Sequence, residues 1–166
     1  MSQQLEDTVE EAAVVVDGSS EESEVLGFLQ ANTLFAPVKT TDLSAFARTG
    51  RYRWISPGEA VVREGELGST FYIVKNGSVL VTTLQNGSDV VELATLGPGA
   101  FFGEVSVLKN VPRTATVVAK NDVEVYEFRQ DEALRLLENY PDFRANLDAL
   151  ILKRSRDTIH KLGYDT

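Results

Sequence analysis

The chain has 166 residues, 43% of them hydrophobic and 25% charged, the balance of a single soluble domain with enough apolar side chains for a core. With no cysteine and one histidine, His160, it excludes disulfide scaffolds, cysteine nucleophiles and multi-histidine or thiolate metal centres, so no metal is expected. The formal charge is −9, but eight acids and no base fall in residues 1–24, which leaves 17 acids against 16 bases in residues 25–166.

Those eight acids are Glu6, Asp7, Glu10, Glu11, Asp17, Glu21, Glu22 and Glu24. Their density and the Gly18-Ser19-Ser20 break describe a solvated, disordered leader over residues 1–24, or else a gating or partner-binding arm. The run Ala12 to Val16 is too short to span a membrane and no basic start precedes it, so a cytoplasmic protein without membrane association is expected. Clustered Lys and Arg are missing, which argues against direct nucleic-acid binding.

From Ser23 the pattern turns helical. Val25, Leu26, Phe28 and Leu29 follow a serine able to cap, and Thr41 or Asp42 can cap a second helix carrying Leu43, Phe46 and Ala47, which Gly50 stops. Seven runs rich in β-branched and aromatic residues come next: 51–55, 60–64, 70–75, 78–84, 89–96, 114–119 and 123–128. Pro57-Gly58, Gly65 to Gly68, Asn76-Gly77, Asn86-Gly87, Gly97-Pro98-Gly99 and Asn121-Asp122 punctuate them as turns. Seven to eight evenly spaced strands imply an eight-stranded jelly-roll-like β-barrel, with Trp54, Phe71 and Tyr72 in its core and Phe101 and Phe102 packed nearby. Helical spacing returns with Leu134, Leu136 and Leu137, and after Pro141 a longer helix carries Phe143, Leu147, Leu150, Ile151 and Ile159. The fold expected is mainly β, with N-terminal helices and a C-terminal helical lid.

The segment from Gly97 to Thr116 is too long for a hairpin turn. Within it Gly103 permits close backbone approach, Glu104 to Leu108 can form one short helical turn with outward-facing amides, and Pro112 sends Arg113 into the next strand. Fixed amides and a guanidinium fork make a phosphate cradle, whereas a carboxylate beside it requires a hydroxyl donor on the same ligand. A ribose phosphate supplies both. The alternative is a simple salt bridge between Glu104 and Arg113 across the loop.

Phe102-Gly103-Glu104-Val105-Ser106 followed by Pro112-Arg113-Thr114-Ala115-Thr116 resembles the phosphate-binding cassette of cyclic-nucleotide-binding domains, as found in cyclic-AMP-dependent kinase regulatory subunits, cyclic-nucleotide-gated channels and the catabolite activator family. Leu34-Phe35, Pro57-Gly58-Glu59, Arg63-Glu64-Gly65, Phe71-Tyr72-Ile73-Val74 and Gly77-Ser78-Val79 extend the resemblance over roughly residues 32–160. It implies that Glu104 accepts a bond from the ribose 2′-hydroxyl, that Arg113 pairs with the exocyclic phosphate oxygens, and that Gly103, Val105 and Ser106 offer backbone N–H groups. It implies further that Phe102, Thr114 and Ala115 line the ligand site, and that Leu150, Ile151 or Arg154 of the last helix caps the base.

No nucleophile with a base, no paired carboxylates and no Walker sequence point to an enzyme. The function expected is a stand-alone sensor of cAMP or cGMP that signals to an unidentified effector protein by movement of its last helix, or a domain excerpt of a larger protein. Leu147, Ile151 and Ile159 are the residues expected to be exposed on that helix for a partner or a homodimer. The competing function is a partner-docking barrel that binds no ligand, a degenerate cyclic-nucleotide-binding domain acting as an interaction scaffold. A further expectation is that the acidic leader occupies the Arg113 cradle when ligand is absent.

Overall fold

A computed structural model describes residues 20–163. The expectations for residues 1–19 therefore lie outside the described residues, including the leader's occupation of the cradle. Helix α1 (Ser20–Ala31) begins earlier than the sequence pattern suggests, with Ser23 inside it rather than capping it. Ser20 to Glu24 thus belong to a helix, where acidic side chains complement the positive end of its dipole. Glu22 meets Arg48 at 3.1 Å and Glu24 meets Lys75 at 3.3 Å, while Val25 and Leu29, four residues apart on one face, are fully buried.

A 3₁₀ turn over Thr33–Phe35 is capped by the Asn32 side chain. Helix α2 (Thr40–Ala47) follows Lys39 without a side-chain cap, so neither Thr41 nor Asp42 has the expected role, since both lie past its first residue. Its apolar stripe of Leu43, Phe46 and Ala47 is buried as the spacing predicts.

Eight strands follow: β1 (Arg51–Ile55), β2 (Ala60–Val62), β3 (Thr70–Asn76), β4 (Val79–Gln85), β5 (Asp89–Leu96), β6 (Phe101–Phe102), β7 (Thr116–Ala119) and β8 (Val123–Arg129). They form two four-stranded antiparallel sheets, β1-β8-β3-β6 and β2-β7-β4-β5, a jelly-roll-like arrangement that is open rather than a closed barrel. Strand β6, which the periodicity does not announce, has only two residues because Gly99 turns the chain before it and Gly103, at φ +88°, turns it away afterwards. Strand β7 starts two residues later than expected, since Thr114 and Ala115 line a cleft beside it.

Alternation along β3 shows how both faces of one sheet are buried. Tyr72 and Val74 point between the sheets with Ile55, Phe102 and Val125, whereas Phe71 and Ile73 point to the helices with Phe46, Tyr126 and Phe128. Trp54 departs from expectation and is 52% exposed: Ile55 takes the inward position at this edge strand, and its neighbour faces the other way.

After β8, helix α4 (Gln130–Asn139) buries Ala133, Leu136 and Leu137. Tyr140 breaks the helical path and Pro141 opens helix α5 (Pro141–Leu162), whose 22 residues end at a left-handed Gly163. Leu147 and Ile151, expected at the surface, are buried instead, because α5 lies back over the fold with Phe143 stacked on Phe35 at 4.9 Å. Ile159 is exposed as expected, together with Leu152. Among the described residues no helix is long and apolar enough to cross a membrane.

Candidate ligand site

Between sheet β2-β7-β4-β5, the segment 102–115 and the C-terminal half of α5 lies a cleft of about 510 Å³, within the range of small-molecule sites. Val62 and Val81, Leu93 and Ala94 of β5, and Val117 give it an apolar floor. Phe102, Gly103, Glu104, Val105, Ser106, Arg113, Thr114 and Ala115 line it, as do Ile151 and Arg154 from α5. Leu150 does not; it packs against the helical core.

Helix α3 (Glu104–Lys109) is six residues long, entered through left-handed Gly103 and left through left-handed Asn110. This short turn delivers Ser106 to Arg113. Arg113 is 7% exposed, and its guanidinium spends both Nη1 hydrogens locally, on Ser106 Oγ at 2.7 Å and the Gly103 carbonyl at 3.2 Å. Nη2 donates to Thr70 Oγ1 at 3.3 Å. Among the described residues these are its bonds, so the Nε–H and one Nη2–H remain, the edge that takes two oxygens of an anion side by side. The Arg113 backbone is pinned as well, its N–H donating to the Glu66 carbonyl at 2.8 Å and its carbonyl accepting from the Gly65 N–H at 2.8 Å.

Burial lowers the Arg113 pKa, and the proximity of Tyr72, Glu104 and Glu127 works against that shift. Guanidinium basicity leaves it charged throughout the physiological range. Gly68 contributes by what it lacks: a Cβ there would stand 2.3 to 2.4 Å from Nε, Cζ and Nη2 of Arg113. No side chain but hydrogen fits over that face.

Glu104 is 4% exposed, and its Oε2 accepts from Arg154 Nη1 at 2.8 Å. The same guanidinium lies 5.7 Å over the Phe101 ring. The cassette arginine and glutamate are therefore not joined to each other across the loop by an ion pair; each has its own partners. Two further contacts tie α5 down: Lys109 meets Asp148 at 3.3 Å, and Gln85 Nε2 donates to the Leu162 carbonyl at 2.9 Å. Asp157, Thr158 and His160 of α5 also border the cleft. Among the described residues no group of three or more His, Cys, Asp or Glu side chains is placed to hold a metal ion.

Sequence reading assigned Ser106 a backbone role and overlooked its hydroxyl, and it missed Gly68, Thr70 and the β5 wall. Gly68 reads in the sequence only as the end of the Gly65 to Gly68 turn, and Thr70 carries no signal beyond its parity with Tyr72.

The fold and this cleft agree with what known proteins resemble the chain. A family model described as the cyclic nucleotide-binding domain matches residues 52–140. The cAMP-dependent protein kinase regulatory subunit of Yarrowia lipolytica is 35% identical over 125 residues, covering 75% of this chain and 32% of that protein. The cyclic AMP receptor protein of Thermus thermophilus is 35% identical over 115 residues, covering 69% of this chain and 51% of that protein. Among solved structures, the regulatory domain of Toxoplasma gondii PKA with cAMP superposes with a TM-score of 0.73 at 27% identity, covering 83% of this chain and 51% of that one. The chain thus spans about a third to a half of the length of these relatives. With fold, cassette and relatives in agreement, the chain belongs to the cyclic nucleotide-binding domain family.

Proposed function

We propose that this domain binds cAMP or cGMP in the cleft under α5 and passes the bound state to an effector protein by movement of that helix. The observation that carries the reading is the buried Arg113 on the cleft wall, anchored by three hydrogen bonds that leave its Nε–H and one Nη2–H unclaimed. Two exocyclic phosphate oxygens take that edge, with the backbone N–H groups of Gly103, Val105 and Ser106 beside them. The ribose 2′-hydroxyl donates to Glu104, whose Oε1 is left while Oε2 holds Arg154. Thr114 is exposed at the cleft and stands near phosphate or base, and Ile151 offers an apolar cap to the base.

The role is regulatory rather than catalytic, exercised in the cytoplasm. Ligand and lid share one carboxylate, so occupancy changes how firmly α5 is held, which is a population shift between docked and undocked helix. Leu152 and Ile159, both exposed and seven residues apart on one helical face, support α5 as the surface met by the effector or a second copy. Relatives named for cyclic AMP make cAMP the first ligand to try.

The test is isothermal titration of the nucleotide-free protein with cAMP, cGMP and cyclic di-GMP, with Arg113→Ala as control. The expected result is a micromolar or tighter Kd, about −8 kcal/mol or better, for one of the first two and none for the variant. No heat from folded, empty protein would overturn the sensor and favour a partner-docking scaffold.

A further inference from the structure

A directed hydrogen-bond chain runs from Arg113 into the sandwich. Nη2 of Arg113 donates to Thr70 Oγ1, the Thr70 hydroxyl donates to Tyr72 Oη at 3.0 Å, and the Tyr72 hydroxyl donates to Glu127 Oε2 at 3.2 Å. Thr70 and Tyr72 each accept one bond and give one, so the chain has a single direction and ends on a carboxylate with Arg53 Nη1 3.9 Å away.

Strand geometry assembles it. Thr70 and Tyr72 lie two residues apart on one face of β3, and Tyr72 is the cross-strand partner of Glu127 in β8. Tyr72 is 4% exposed, with its ring stacked on Phe102 at 4.9 Å, directly before Gly103. Burial, foremost, raises its pKa, so the phenol keeps the proton it donates. By giving its own proton to Tyr72, Thr70 presents a lone pair to Arg113, and along a part-buried chain each bond polarises the next.

We infer that Thr70 and Tyr72 are positioning residues that lock the rotation of the Arg113 guanidinium and turn its remaining edge to the cleft, with Glu127 as the terminal acceptor. This rests on the reading of the cleft as a phosphate-binding site. Ser106 and the Gly103 carbonyl hold Nη1; the chain through Thr70 holds Nη2, so the fork is fixed at both ends. Neither positioning residue lines the cleft.

Three variants separate this from a packing role: Thr70→Val, which keeps the shape and removes the hydroxyl; Tyr72→Phe, which keeps the stacked ring; and Thr70→Ser, which keeps the hydroxyl. In the nucleotide-free protein, the Arg113 Nη proton signals, assigned by their loss in Arg113→Lys, are expected to be resolved in the parent and in Thr70→Ser. In Thr70→Val and Tyr72→Phe they collapse to an average. Titration with cAMP is expected to show about three- to tenfold weaker binding for Thr70→Val and Tyr72→Phe, with Thr70→Ser within about twofold of the parent. Unchanged guanidinium signals in the first two variants overturn the inference, as does unchanged cAMP affinity when the parent binds. A parent that binds no cAMP yet shows the expected proton pattern removes the ligand reading and supports the positioning of Arg113 on its own.

Discussion

Two arginines line the same cleft and are held in opposite ways. Arg113 is 7% exposed, held by three hydrogen bonds and packed so closely under Gly68 that a Cβ there would collide with it. Arg154 has a side chain 31% exposed, one bond to Glu104 and a ring beneath it, and it rides on a helix that leaves the core after Ile151. A donor built into the scaffold loses little freedom on meeting an anion, whereas a donor on a loosely tied helix can exchange partners. The first suits recognition and the second suits release.

The contrast is broken most directly at Arg113. Replacing it with lysine keeps the charge but loses the fork, and binding of cAMP measured by titration should weaken by about 3 kcal/mol, roughly a hundredfold. Gly68→Ala attacks the same group from its covered face. Its Cβ forces the guanidinium aside, which should weaken binding about tenfold and cost on the order of 1–3 kcal/mol in urea unfolding. Arg154→Ala should leave affinity within about fivefold, because the Arg154 side chain is partly exposed and α5 can lift to readmit water to Glu104. Amide exchange over residues 150–162 should rise in that variant. Losses as large as those at Arg113 would abolish the distinction between the two arginines.

The smallest effect is expected far from the cleft, at a pair that serves as its reference. The Tyr52 hydroxyl bond, followed by that of Asn76, holds the Glu124 carboxyl below its usual range. A carboxylate depressed in the folded state contributes stability that is present above its unfolded pKa and is lost as pH falls through the folded value. Tyr52→Phe should therefore raise the acid-unfolding midpoint slightly, by less than about 1 kcal/mol of stability near pH 4, and leave nucleotide affinity unchanged. Circular dichroism against pH reads the first and titration the second.

The strands were largely legible because period-two patterning and Asn-Gly turns are local signals, and the cassette was legible because Gly103, Glu104 and Arg113 stand close in sequence. Trp54 was misread, since an aromatic in a strand looks the same whether it faces a core or an uncovered edge. Leu147 and Ile151 were misread for a similar reason: an apolar stripe does not say which neighbour covers it. The parts of the site contributed by distant segments, Gly68, Thr70 and the Arg154 partner of Glu104, depend on how β3, the loop before it and α5 meet. Separations of 43 residues between Thr70 and Arg113 and 50 between Glu104 and Arg154 carry no local pattern to read.

The bond from Gln85 to the last residue of α5 acquires meaning from leverage. A helix of 22 residues is about 33 Å long, so a turn of about 10° at Tyr140 carries Leu162 about 6 Å. That stroke is twice the length of the 2.9 Å hydrogen bond at its tip. If α5 swings as proposed, small changes of angle beside the core become a contact on β4 that is either made or broken, and the far end of the helix is then a threshold rather than a dial.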